Sequence, residues 1–181
     1  MAEHFRDRIN PPDIREIFDL WMSSRPDARY PAHEDLDLMS IPKLVKSCFV
    51  MDALGDRRFR YRFVGTDIDR HIGFPMTGRR LDEVRRGQLL ETLTELFATV
   101  EETGQAGYAE THMRTETREN MIYHRLALPL STDGEALDRI FGGHLLERAE
   151  TRTPGRPYVE ANSANREGRV RMFFEPVARG A

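Results

Sequence analysis

The sequence has little that would support a disulfide, a membrane span or a secretory leader. Cys48 is the only cysteine in 181 residues, which excludes an internal disulfide and indicates a reducing compartment. No apolar run approaches the roughly 20 residues that a membrane-spanning helix needs. The charged opening, MAEHFRDRIN, lacks the apolar stretch of a secretory signal. We therefore expect a cytoplasmic protein that does not engage a membrane.

Positive charge is not in excess either. The net charge is −3 and the pI is about 6.1. Affinity for phosphate backbones comes mainly from a concentrated basic surface, so nucleic acid is not an expected partner. Two local arginine clusters, within residues 57–62 and 79–86, are usable for docking an acidic partner. Charge runs of this kind are more often solvated faces.

Familiar catalytic motifs are missing from the sequence. It has no phosphate-cradling glycine loop, no Gly-x-Ser-x-Gly elbow, no His-Glu-x-x-His and no paired Cys-x-x-Cys spacing. His144 lacks the acidic neighbour that usually follows a phosphoacceptor histidine. A three-residue hairpin loop would put His112 opposite His124, but no acid or cysteine is placed to complete a site. We predict no catalytic residue and no metal.

A run from 57 to 84 carries the clearest pattern that is present. Its first part alternates aromatic residues with arginines, which predicts a strand with one buried face. Thr66 stands where a helix N-cap belongs, after Gly65. A strand that turns into a short helix is therefore predicted, with three rings facing the core: Phe59, Tyr61 and Phe63.

The rest of the chain predicts an α+β fold. An amphipathic helix is expected over 11–24, a first strand over 47–54, a long helix over 88–103, and three strands over 108–115, 121–130 and 137–146. We divide the chain into an N-terminal helix and connector (1–46), a core (47–148) and a mobile polar tail (149–181). The apolar residues Val170, Met172, Phe173 and Phe174 in the tail predict either a docking peptide or a segment that folds back on its own domain.

The element order resembles the core of a PAS domain, in particular a PAS-like family of short bacterial proteins. The resemblance covers most of residues 12–147. It is carried by Phe59 to Thr66, the breaks at Gly73 and Thr77-Gly78, Leu128-Pro129-Leu130-Ser131 with Asp133-Gly134, and Asp138 to Gly142. It implies a five-stranded antiparallel sheet of order 2-1-5-4-3 with helices on one face, plus the N-terminal amphipathic helix.

The resemblance also implies a cavity between the sheet and the helices. Arg125 is informative there, because a guanidinium that points inward needs an anion, such as a carboxylate or phosphate, to offset its desolvation. The haem motif and the flavin Asn-Cys-Arg-Phe pattern of PAS relatives are absent, so neither cofactor is expected. Residues that we expect around a small organic ligand, or a filled core, are Phe49, Met51, Tyr61, Phe63, His71, Leu93, Phe97, Tyr123 and Arg125.

We interpret the chain as a non-catalytic sensory or interaction module in bacterial signalling, acting through a homodimer or a signalling partner. Two alternatives stay open: a cone-shaped α+β enzyme similar to ketosteroid isomerases, and a purely structural dimerisation domain. Trp21 is either a lid on the core or a dimer anchor. The helix residues proposed for an interface are Ile14, Phe18 and Trp21.

Overall fold

The computed structural model describes residues 4–25, 30–114, 120–149 and 170–175. Short 3-10 turns at His33–Asp35, Leu38–Ser40 and Val45–Ser47 link the N-terminal helices to the sheet. The helices are α1 (Phe5–Arg8), α2 (Pro12–Ser23), α3 (Thr66–Ile72), α4 (Leu81–Val84) and α5 (Gly87–Thr103). The strands are β1 (Cys48–Ala53), β2 (Phe59–Val64), β3 (Gly107–Arg114), β4 (Asn120–Ser131), β5 (Leu137–Arg148) and β6 (Val170–Phe174).

The strands form one antiparallel sheet of order β2-β1-β5-β4-β3-β6. Its first five positions agree with the predicted order, but the prediction of five strands is wrong. The sixth strand, β6, pairs with β3 and puts Phe173 and Phe174 on opposite faces of the sheet, each against a hydrophobic cluster. This burial explains why the apolar end of the tail folds back on its own domain. Residues 150–169 and 176–181, for which a mobile tail was predicted, lie outside the described residues.

A β-bulge changes which rings of β2 face the core. Met51 pairs with Tyr61 and Val50 with Phe63, so Arg62 is an extra residue on β2. Because side chains alternate between faces, the extra residue moves Phe63 to the other side of the sheet. Phe59 and Tyr61 are buried as predicted, whereas Phe63 is 36% exposed. The placement of Phe63 around the cavity is therefore wrong.

Helices cover both faces of the sheet. We call the side under α3, α4 and α5 the cavity face, and the side under α1 and α2 the lid face. On the lid face, α2 packs on β4 and β5 with its apolar side down. On the cavity face, α5 crosses β3, β4 and β5. Every odd-numbered residue from 123 to 129 on β4 faces the cavity side, and every even-numbered one faces the lid side.

Local backbone geometry fixes the start and end of α3. The N-cap is Gly65, and Thr66 is the first helical residue, so the prediction of a Thr66 cap is wrong. A side chain at Gly65 would overlap the backbone carbonyl of Lys46, which accounts for glycine there. Gly73 ends the helix with φ of 91°, a left-handed conformation that glycine adopts without strain. These two glycines therefore set both ends of α3, which lies on the cavity face.

Candidate functional site

A cavity of about 20 Å³ lies on the cavity face, between the sheet and the helices. A volume of this size holds about one water molecule, so the core is nearly filled. Its wall combines four apolar residues with four that carry polar groups. The lining residues are Phe49, Tyr61, Ile68, Arg85, Leu93, Phe97, Arg125 and His144.

Arg125 of β4 points into this cavity and is only 5% exposed. Its guanidinium lies 5.1 Å from the centre of the Tyr123 ring. Its Nη1 atom is buried and has no hydrogen-bond partner among the described residues. Burial, with the nearby Arg85 charge, lowers the pKa of Arg125 from 12.5 to about 10. The side chain is therefore still charged at neutral pH in a place that disfavours its charge.

Arg85 brings a second guanidinium to the cavity from the end of α4. It is 8% exposed, and its Nε atom is buried without a partner among the described residues. Its other nitrogens donate to the Val84 carbonyl at 3.2 Å and to the Met76 sulfur at 3.4 Å. A hydrogen bond with the Tyr61 side chain adds to these contacts. Because a thioether is a weak acceptor and no carboxylate of the described residues is among the partners, they compensate only in part for the buried charge.

Three aromatic rings stand beside the arginines. His144 of β5 lies 6.0 Å from both His71 of α3 and Tyr123, measured between ring centres. The Nε2 atom of His71 and the hydroxyl of Tyr123 are 3.2 Å apart. Burial, then the Arg125 charge and further cationic neighbours, holds the pKa of His144 well below its ordinary value of 6.5. His144 is consequently neutral at pH 7, and its buried Nε2 has no partner among the described residues.

The structure separates the predicted cavity residues into three groups. Five of them line the cavity: Phe49, Tyr61, Leu93, Phe97 and Arg125. His71 and Tyr123 stand next to it through their contacts with His144 and Arg125, and Met51 is fully buried in the adjoining cluster. Phe63 lies on the other face of the sheet.

Sequence reasoning missed Ile68, Arg85 and His144. Arg85 belongs to a run of charged residues that reads as a solvated face, and nothing in that run marks it as the buried member. His144 had a usable signal, because β5 alternates and His144 pairs directly with Arg125 of β4 in the antiparallel register.

A separate polar network lies on the lid face. The hydroxyl of Tyr108 is 2.6 Å from His124 Nδ1, and His124 Nε2 is 2.9 Å from a Glu147 carboxylate oxygen. A carboxylate only accepts, so Nε2–H donates to Glu147 and Nδ1 accepts from Tyr108. Glu110 accepts from the side-chain amide of Asn10 at 2.9 Å. The network joins β3, β4 and β5 to the segment before α2.

The register of β3 and β4 is not the one expected for two facing histidines. His124 pairs with Glu110, and His112 pairs with Ile122, so the expected pairing of His112 with His124 is wrong. The connection spans residues 115–119, which lie outside the described residues. Within the described residues, no group of three histidine, cysteine or acidic side chains is placed to hold a metal ion. Burial also raises the pKa of the Cys48 thiol to about 12, which suppresses thiolate chemistry there.

The proposed interface residues of α2 lie against the sheet of the same chain. Trp21 is completely buried, and its indole N–H donates to the Pro129 carbonyl at 2.8 Å. Ile14 and Phe18 are 1% and 5% exposed. Within one chain, α2 therefore covers the lid face of the sheet and does not expose these three side chains. Across the described residues, no helix combines the length and apolarity needed to cross a bilayer.

Comparisons with known proteins agree with this architecture. The PAS domain family matches residues 9–145, which include α2, β1 to β4 and most of β5. No curated protein and no solved structure matches the chain. The matched range includes the cavity and the lid helix together. The chain belongs to the PAS domain family.

Proposed function

We propose that the chain is a non-catalytic sensory and interaction module of bacterial signalling, which binds a small organic ligand in the cavity and acts through a homodimer or a signalling partner. One observation carries this proposal: β4 and β5 hold the polar cavity residues on one face and support the lid helix on the other. A change in the cavity therefore has a direct route to α2.

Consecutive side chains of β4 and of β5 point in turn to the cavity face and to the lid face. On β4, Arg125 faces the cavity while its neighbour His124 belongs to the lid-face network. On β5, His144 lines the cavity, and a side chain on the adjacent Gly143 would overlap Ile17 of α2. This close approach of α2 to the backbone means that small shifts of β5 are felt by the lid.

Output through the lid follows from its apolar face. A ligand shifts a two-state equilibrium only by its difference in affinity for the two states. If the occupied state loosens α2, the face with Ile14, Phe18 and Trp21 becomes available to a second copy or to a partner. The same residues then serve as a lid in one state and as an interface in the other.

The two alternatives have less support. An isomerase-type enzyme needs a base near its substrate whose pKa lies close to the working pH. No carboxylate lines the cavity, and burial with the Arg125 charge holds the pKa of His144 well below 6.5, which makes it a weak base. A purely structural dimerisation domain has no use for buried, unpartnered cationic groups in its core, because they destabilise it. The small volume of the cavity suits such a domain, and the absence of a retained molecule would identify it.

Native mass spectrometry of the purified protein tests the ligand, and light scattering with Trp21 fluorescence tests the output. Trp21 is the only tryptophan, so its emission reports on the lid. We expect a retained small molecule whose removal changes both the emission and the molar mass. Ile68→Phe should fill the cavity and abolish the response, while Ile72→Phe on the same helix should retain it. A protein without any retained molecule, and with the same mass and emission under all conditions, would contradict the proposal.

A further inference from the structure

We infer that the cavity takes the carboxylate group of a small organic acid, with Arg85 and Arg125 as its ion-pair partners and His144 and Tyr61 as neutral hydrogen-bonding neighbours. This inference rests on the proposed function, since it names the ligand class of the same cavity. It depends on the buried charge, on the convergence of donors and on the size of the space.

The charge argument starts from the absence of an internal counterion. Several other arginines of the described residues pair with acids, and Asp52 pairs with three of them: Arg60, Arg62 and Arg139. No ion pair among the described residues includes Arg85 or Arg125. Two buried guanidinium groups that also repel each other are strongly unfavourable unless an anion joins them.

The donors converge from different elements. Arg125 and His144 project from neighbouring strands of the sheet, and Arg85 reaches down from the end of α4. Tyr61 adds a hydroxyl from β2, and burial raises its pKa, so it stays protonated. A guanidinium presents paired N–H groups that match the two oxygens of a carboxylate. The unpartnered Nε of Arg85 and Nη1 of Arg125 are the free positions for such pairing.

The size of the cavity favours a small, flat anion. About 20 Å³ holds one water-sized group, so a tetrahedral phosphate requires a larger rearrangement than a planar carboxylate. The apolar part of the lining, formed by Phe49, Ile68, Leu93 and Phe97, suits a short hydrocarbon body. Entry of that body requires side chains of the wall to rearrange, and Arg85 lies there just after the last residue of the four-residue helix α4.

The test is a set of calorimetric titrations of the full chain. The titrants are sodium acetate, propionate and benzoate, and inorganic phosphate and chloride at matched ionic strength are titrated for comparison. Arg125→Met and Arg85→Met remove one partner each. Arg85→Lys keeps the charge but loses the planar fork. Arg58→Gln is the matched control, because Arg58 is an exposed arginine outside the cavity that pairs with Asp56 on the surface.

We expect saturable binding of at least one carboxylate and none of phosphate or chloride. Each methionine variant should lose at least tenfold in affinity. The affinity of Arg85→Lys should lie between that of the original chain and that of Arg85→Met, and Arg58→Gln should bind as the original chain does. If Arg125→Met does not fold, the two Arg85 variants carry the same comparison. Binding of phosphate alone, absence of saturable binding by all three acids, or unchanged affinity in the Arg85 variants would each overturn the inference.

These outcomes are distinct from a failure of the proposed function. A neutral molecule retained in native mass spectrometry would support a sensor and overturn the carboxylate assignment. Saturable carboxylate binding that leaves Trp21 emission and the molar mass unchanged would support the assignment and contradict the signalling output.

Discussion

Replacing Arg125 by methionine should stabilise the protein when no anion is present. Methionine keeps most of the length of the side chain and removes a charge that is 5% exposed and unpaired at Nη1. The fall of the pKa of Arg125 from 12.5 to about 10 corresponds to about 3 kcal/mol of unfavourable interaction with the charged form. Loss of the desolvated contact with the Tyr123 ring takes back about 2 kcal/mol.

The expected net gain is about 1 kcal/mol in the free energy of unfolding. For a chain of this size that gain raises the Tm by about 2–4 °C. Thermal and chemical denaturation in buffer free of carboxylates measure it, with Arg58→Gln as the control that should change the Tm little. With a saturating carboxylate present, the order should reverse, because the original chain gains more binding energy than the variant does.

A lower Tm for Arg125→Met without any anion would refute the reasoning. It would mean that Arg125 is a structural residue whose interactions outweigh its desolvation. A Tm gain that remains the same at saturating acetate, propionate and benzoate would refute the anion part of the argument and leave the desolvation part standing.

Three further predictions concern stability. Trp21→Ala should lower the free energy of unfolding by about 3–5 kcal/mol, as for other buried large aromatic residues, and Met22→Ala on the exposed side of α2 is the control in chemical denaturation. The pKa of His144 is depressed in the folded chain, so the unfolded chain binds more protons just below pH 6.5. The free energy of unfolding should therefore fall as the pH drops through that window, by at most about 1.4 kcal/mol per pH unit. His144→Gln should flatten this slope, and an unchanged slope would count against a buried neutral ring. The hydrogen bond from His112 holds the pKa of Glu110 below 4.5, so the stability that the ionised carboxylate contributes is lost as the pH falls below about 4.5. Glu110→Gln should remove that loss in acid denaturation. A variant as sensitive to acid as the original chain would contradict the assignment.

Much of the sheet was predictable from the sequence because its signals are local. The alternation from residue 57 to 64 and the apolar stripe of α5 follow directly from the geometry of strands and helices. Two errors arose where the strand register differs from the expected one, by one residue at β2 and by two between β3 and β4. The bulge at Arg62 turned Phe63 to the other face, and a longer β3–β4 connection moved His124 opposite Glu110. Neither an extra residue nor a loop length leaves a clear signal in one sequence.

The candidate site was predicted in part for a similar reason. Apolar members such as Phe49 and Phe97 follow from periodicity, but burial of a charged residue is set by distant contacts. Arg85 is buried because α4 carries it over the sheet, while the adjacent Arg86 is exposed. The β6 strand was recognised only as an apolar segment, since its pairing with β3 spans more than fifty residues of sequence.

That distant strand has a consequence for assembly. While β6 is in place, the backbone of β3 from Gly107 to Thr111 is paired on both sides. Detachment of β6 would leave five residues of β3 as an open edge, ready to accept the same segment from another molecule. Such an exchange would join two chains through contacts that each chain already makes with itself, so no new complementary surface would be needed.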